Sequence, residues 1–291
     1  MSALSAARPS GPARARAALR RRPRAVAFAW AVLALLAVAV VWPGLLAHQA
    51  PDAVNPLEAL EGPSGRHLLG TDQLGQDLYS RIVHGARSSL AIGLGATGIA
   101  VVAGTLLGVL AAAGGRAVDE AVMRVTDILL AFPGLLLALL VVAMLGPGTG
   151  NAVLAIGCSL TPGFTRLARG QALVIRESGY VQAATVLGRR RGWIYLRHLL
   201  PNAVPPLLVF ATVGVGSAII AGSSLSFLGL GPKPPTPEWG AMLAQSRDLL
   251  DVAWAPAVLP GVAVTVTVLT INVVGRDLRR RFEGRNPGAR D

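Results

Sequence analysis

The chain has 291 residues and a mean hydropathy of +0.55, with 53% hydrophobic and only 14% charged residues. A water-soluble domain carries about 25% charge, so most of this chain does not face water. The net charge of +12 and the pI near 11.5 do not indicate a nucleic-acid binder, because the arginines fall in separate short segments and form no single groove.

Residues 1–24 are small, basic and proline-containing, and read as a cytoplasmic tail that anchors the first span by charge. Uncharged runs follow at 25–47, 88–115, 128–165, 199–232 and 253–275. Each is long enough for a hydrocarbon crossing, which takes about 20 apolar residues. The first exceeds the roughly 7–15-residue core of a secretory signal, which predicts an uncleaved anchor. The third is too long for one crossing, and the Gly/Pro-rich stretch 146–151 divides it into a hairpin. Six transmembrane helices result, in an all-α polytopic membrane protein.

Between the first two spans, residues 48–87 form an outer segment. Leu74, Leu78 and Ile82 are spaced for a short amphipathic helix lying flat on the outer surface. Gly104, Gly108 and Ala112 offer a small-residue face for close helix approach. Arg124 and Asp127, at i and i+3, predict a mutual ion pair where the third span begins. Cys158 is the only cysteine, so it forms no internal disulfide and reads as a small lipid- or helix-packed residue. The outer loop 223–252 combines a proline-rich turn with a helical pattern starting near Trp239. Thr265, Thr267, Thr270 and Asn272 make one side of the sixth span polar, suited to other helices or a water-filled path.

Orientation follows from the basic residues. With both termini in the cytoplasm, 22 of the 27 lie inside and only Arg66, Arg81, Arg87, Lys233 and Arg247 lie outside. The positive-inside rule prefers this topology.

Several chemistries are missing. The only lysine, Lys233, is followed by proline, so there is no phosphate-binding GxxxxGK[ST] loop. The spans hold no deep Asp, Glu or Lys of the kind ion-coupled carriers use. His48, His67, His84 and His198 are isolated. The chain reads as a non-enzyme with no cofactor or metal of its own.

The most informative stretch is 180–201, YVQAATVLGRRRGWIYLRHLLP. Val181, Ala183, Ala184, Val186 and Leu187 make an apolar side over two turns, and Gly188 supplies a corner. Three arginines follow; Trp193, Ile194 and Leu196 resume a helical stripe, and Pro201 marks the restart of the next span. A helix–Gly–helix unit of this kind either presents an Ala183–Ala184 knob to a partner protein or lies on phospholipid by its basic residues. These residues leave both readings open.

Gln182-Ala183-Ala184, then Gly188, then His198-x-Leu200-Pro201 resembles the EAA coupling loop of binding-protein-dependent ABC importer permeases. Gln182 stands where that loop carries an acid, and His198 where it carries an aliphatic residue. The chain is similar to the peptide/nickel group, in particular its second permease subunit of the DppC/OppC type. That likeness rests on HLLGTDQLGQD at 67–77, on Ser80-Arg81 and Gly85-Ala86-Arg87, on DILLAFP at 127–133, on FLGLG at 227–231 and on PPTPEWG at 234–240.

The resemblance implies a type I ABC importer permease fold, with a core permease domain at 88–282, a coupling loop at 177–201 and a short cytoplasmic tail at 283–291. It also implies a heterodimer with a homologous permease, two cytoplasmic ATPase subunits that bind the ATP, and an extracytoplasmic solute-binding protein, all at a bacterial plasma membrane. Coupling to the ATPases would fall on Tyr180, Gln182, Ala183, Ala184, Leu187, Gly188 and Pro201. The solute would be a dipeptide or oligopeptide, with nickel, glutathione or another peptide-like solute as the alternative.

Overall fold

A computed structural model describes residues 22–194, 197 and 199–283. Most of the basic tail, the last eight residues, and Leu196 and His198 of the stretch above lie outside the described residues. The regular secondary structure of the described residues is helical, apart from an isolated bridge between Thr71 and Asp77, and turns and irregular chain join the helices.

In chain order the helices are α1 (Arg22–Val41), α2 (Pro43–Leu46), α3 (Leu78–Ala113), α4 (Arg116–Ala131), α5 (Gly134–Leu145), α6 (Thr149–Arg176), α7 (Gly179–Val186), α8 (Arg191–Ile194), α9 (Leu200–Phe227), α10 (Trp239–Ser246) and α11 (Trp254–Glu283). Four of them, α1, α3, α9 and α11, are long and apolar enough to cross a membrane. The six expected spans are realised differently in the middle of the chain. Pro133 has no N–H and a fixed φ, and here the third span breaks into α4 and α5, bent by 96°. α5 has 12 residues, roughly 18 Å, too short to cross alone. α6 has the length, 28 residues, but carries Arg166, Arg169 and Arg176. The turn between α5 and α6 falls at 146–148, where Gly146 and Gly148 adopt positive φ of 88° and 142°.

The α3–α6 pair is the centre of the bundle. A Cβ on Gly108 would approach Ala168 Cβ to 2.6 Å, and one on Gly104 would meet Phe164 and the amide of Thr165 at 2.9 Å. The small-residue face is therefore the seam where two backbones meet. α9 packs on α3, α6 and α11, while α1 covers α11 and α3. Thr267 and Thr270 of α11 are buried and Asn272 lies against Gly216 of α9, so this part of the polar side faces a neighbouring helix, whereas Thr265 is exposed and donates to Gly261 O of its own helix at 2.8 Å.

No flat amphipathic helix precedes α3. Leu74 lies in a turn, whereas Leu78 and Ile82 belong to α3, which runs without a break for 36 residues. The cause is an N-cap at Asp77. Its Oδ2 accepts from Ser80 N at 2.8 Å while Oδ1 pairs with His67 Nδ1 at 3.0 Å. Asp72 Oδ1 accepts from the amides of Leu74 (2.8 Å) and Gln76 (3.0 Å), and its Oδ2 lies 3.4 Å from Arg81 Nε. Gly75 takes a positive φ of 70°, in a turn where a Cβ would strike the Asn55 carbonyl. The 67–77 motif is thus a folded turn that starts a helix.

On the same side, Glu238 is 1% exposed and caps α10 through Gly240 N (3.0 Å) and Ala241 N (2.8 Å). Ser89 of α3 donates to Glu238 Oε1 at 3.0 Å, and Trp239 Nε1 donates to Ile82 O at 2.9 Å. These bonds pin the outer loop to α3.

Candidate functional site

At the opposite end of the bundle, α6 gives way to the helix–glycine–helix unit. Helix α7 ends as its sequence predicts: Gly188, at φ +72°, donates from its amide to Thr185 O at 3.0 Å, and Arg189 N donates to Ala184 O at 3.1 Å. These two bonds are a Schellman termination, and the positive φ is the reason glycine stands there. Nothing lies within 4 Å of the missing Cβ, so the restriction on position 188 is conformational and not steric. Arg189 then stacks over the Trp193 ring at 4.9 Å, tying the corner to α8. Pro201 occupies the first turn of α9, where a missing N–H costs no helix bond.

The apolar side expected over 181–187 separates into two. Val181 and Ala184 are buried, as are Ile194 and Leu199. They join Phe164, Ala168, Ala172 and Ile175 of α6 and Ala203 and Leu207 of α9 in one apolar cluster. Tyr180, Gln182, Ala183, Val186 and Leu187 remain exposed, Val186 at 88% and Leu187 at 79%. The expected Ala183–Ala184 knob is therefore corrected: Ala183 faces out while Ala184 faces the bundle, because successive helical positions differ by 100° and only one can point inward. Gln182 Nε2 donates back to Glu177 O at 3.1 Å, fixing the entry to α7.

Beneath the unit is a cavity of about 420 Å³, lined among others by Gly114, Arg176, Val181 and Thr185. Arg176 Nη1 donates to Ala112 O at 3.1 Å, linking the end of α6 to the end of α3. Arg169 meets Asp119 of α4 through two parallel bonds, Nε to Oδ1 and Nη2 to Oδ2. Asp127 pairs with Arg166 at 2.6 Å and not with Arg124. The intrahelical pairing expected from spacing loses because α4 leans on α6 and brings a better-placed guanidinium. These cross-helix partners were not readable from sequence, where the only signal was charge inside otherwise apolar segments. Among the described residues, no group of three His, Cys, Asp or Glu residues is placed to hold a metal ion.

A helical membrane protein with long apolar spans, a seam of glycines and a compact elbow at one end belongs to the class of polytopic transport subunits. Residues 104–286 match the family described as binding-protein-dependent transport system inner membrane component, and the chain belongs to that family. It is 41% identical over 248 residues to the dipeptide transport system permease protein DppC of Alkalihalophilus pseudofirmus, covering 85% of this chain and 81% of the relative. It is 45% identical to the di/tripeptide transport system permease protein DppC of Pseudomonas aeruginosa, over 78% of this chain and 75% of the relative. It is also 42% identical to the glutathione transport system permease protein GsiD of Pectobacterium atrosepticum, over 89% and 86%. A solved structure of the MetNI methionine ABC transporter in inward-facing conformations shares the fold, with a TM-score of 0.58 at 19% identity, covering 69% of this chain and 95% of that one. The chain is thus an inner-membrane permease subunit of an ABC importer, and its family works with ATPase and substrate-binding partners.

Proposed function

We propose that this chain is one of two homologous permease subunits that together import dipeptides or oligopeptides across a bacterial plasma membrane, with both termini in the cytoplasm. ATP is bound and hydrolysed by two separate cytoplasmic subunits, and the chain itself carries no cofactor and no catalytic group. The substrate reading draws on the dipeptide permeases among its relatives. Glutathione is the second reading, favoured by the GsiD likeness, and it is itself a tripeptide.

The observation that carries the mechanism is the apolar cluster joining Val181 and Ala184 to α6 and α9. An ATPase subunit docks on the exposed side, Tyr180, Gln182, Ala183 and Leu187, and moves when it closes on ATP. Close-packed interiors transmit displacement instead of absorbing it. The push therefore passes from α7 through Ala184 into Phe164 and Leu207, and tilts the two helices between outward and inward openings. Gly188 holds the corner and Pro201 sets the start of α9.

Reconstitution tests the reading. Uptake of a labelled dipeptide should require the binding protein, both permeases and the ATPases, and an Ala183→Cys variant should crosslink to an ATPase subunit. Uptake by this chain alone, without ATPases, would place it among carriers driven by an ion gradient.

A further inference from the structure

Among the described helices of 18 residues or more, α6 is the exception. The other four are apolar enough to face lipid, and α6 is not. It is covered by α3, α4, α5 and α9, but one side stays bare. Cys158, Arg166 and Gly170 are exposed along it, and Ser159 partly so. Arg166 lies 17 residues along the helix, roughly 25 Å from its start at Thr149. Its side chain is 56% exposed, and that of its partner Asp127 is 57% exposed.

The pair sits toward the cytoplasmic side of the bundle, where the basic residues of α6 collect, and charged residues in membrane helices face a protein interior or a water-filled cavity. Nor is the pair needed merely to fasten α4 to α6. Asp119 and Arg169 already do that through two bonds, with side chains only 26% and 30% exposed. Asp127 and Arg166 keep free valence: the single bond from Arg166 Nη2 to Asp127 Oδ1 leaves one carboxylate oxygen and four guanidinium N–H groups for other partners.

We propose that the bare side of α6 lines the translocation path, and that Asp127 and Arg166 meet the two charged ends of a peptide as it passes. This rests on the permease reading given above. A free peptide carries an ammonium and a carboxylate, which the pair can match with an acceptor and a bidentate donor. Because the two side chains neutralise each other, neither end of the solute is trapped by an unbalanced field. The pair acts as a polar step on an otherwise apolar wall.

Two measurements on the assembled importer in proteoliposomes test this. Cys158, the only cysteine of the chain, is exposed on the same side two turns from Arg166 and serves as the reporter. A charged, membrane-impermeant thiol reagent should label it, with Cys158→Ser as the blank and protection by a transported dipeptide. Labelling by a lipid-soluble maleimide alone overturns the proposal.

The second measurement is uptake of dialanine by Asp127→Asn, by Arg166→Gln, and by the double reversal Asp127→Arg with Arg166→Asp. Each should lower the maximal rate by about tenfold, the scale of one lost charge-assisted bond. The half-saturating concentration of loaded binding protein should stay unchanged. Recovery of wild-type uptake in the double reversal makes the pair a strap and overturns the proposal, as does unchanged uptake in the single variants. Failure of the wild-type importer to take up dialanine, with Cys158 still labelled by the charged reagent, strikes the substrate reading and not the path.

Discussion

The amide of Arg189 donates to the carbonyl of Ala184 at 3.1 Å, and this bond closes α7 around Gly188. One residue is thereby fixed at both ends of its role. Its carbonyl terminates the helix, and its methyl group sits in the apolar cluster shared with Phe164 and Leu207.

The glycine corner gives the first prediction. An L-residue at a left-handed position costs roughly 1–2 kcal/mol, and more when β-branched. Gly188→Val should therefore lose ATPase stimulation and uptake while membrane insertion is kept. Gly188→Asn should retain much of both, since asparagine tolerates positive φ and there is open space for its side chain. Equal loss in the two variants would mean that the restriction is not conformational.

A second prediction separates the two neighbouring alanines. Ala184→Phe forces a ring into a packed cluster and should cost about 1–3 kcal/mol by overpacking. The expected result is a lower melting temperature of the purified complex together with lost uptake. Ala183→Phe adds a ring to an exposed surface, so it should leave the melting temperature unchanged and weaken only ATPase docking, read as lost co-purification. Identical thermal shifts for both would contradict the division of the helix into an inward and an outward side.

The third prediction concerns the far end of the bundle. Glu238→Ala removes the acceptor of two helix-capping amides and of Ser89. A lost cap and an orphaned buried donor each cost about 1 kcal/mol or more. Hydrogen exchange at the amides of Gly240 and Ala241 should accelerate by tenfold or more, whereas the Gly188 corner, at the other end of α6, should exchange as before. Unchanged protection at Gly240 would show that other contacts hold α10.

Much of this protein is legible without coordinates. Residue types within one or two turns fixed the hairpin break at Gly146–Gly148, the stop at Gly188, the start of α9 near Pro201 and the helix beginning at Trp239. Each is a local matter of allowed φ, missing N–H groups or side-chain capping. Composition likewise fixed the membrane setting, because 14% charge over 291 residues leaves no other solvent for the apolar spans.

Tertiary structure decided the rest. That Leu78 and Ile82 belong to one 36-residue helix depends on Asp77 receiving His67 from ten residues earlier. That Asp127 takes Arg166, 39 residues away, depends on how α4 leans across α6. Which of Ala183 and Ala184 faces the bundle depends on the rotation of α7 against α6 and α9. Periodicity states which residues share a helix face. Only packing against the neighbouring helices states what that face meets.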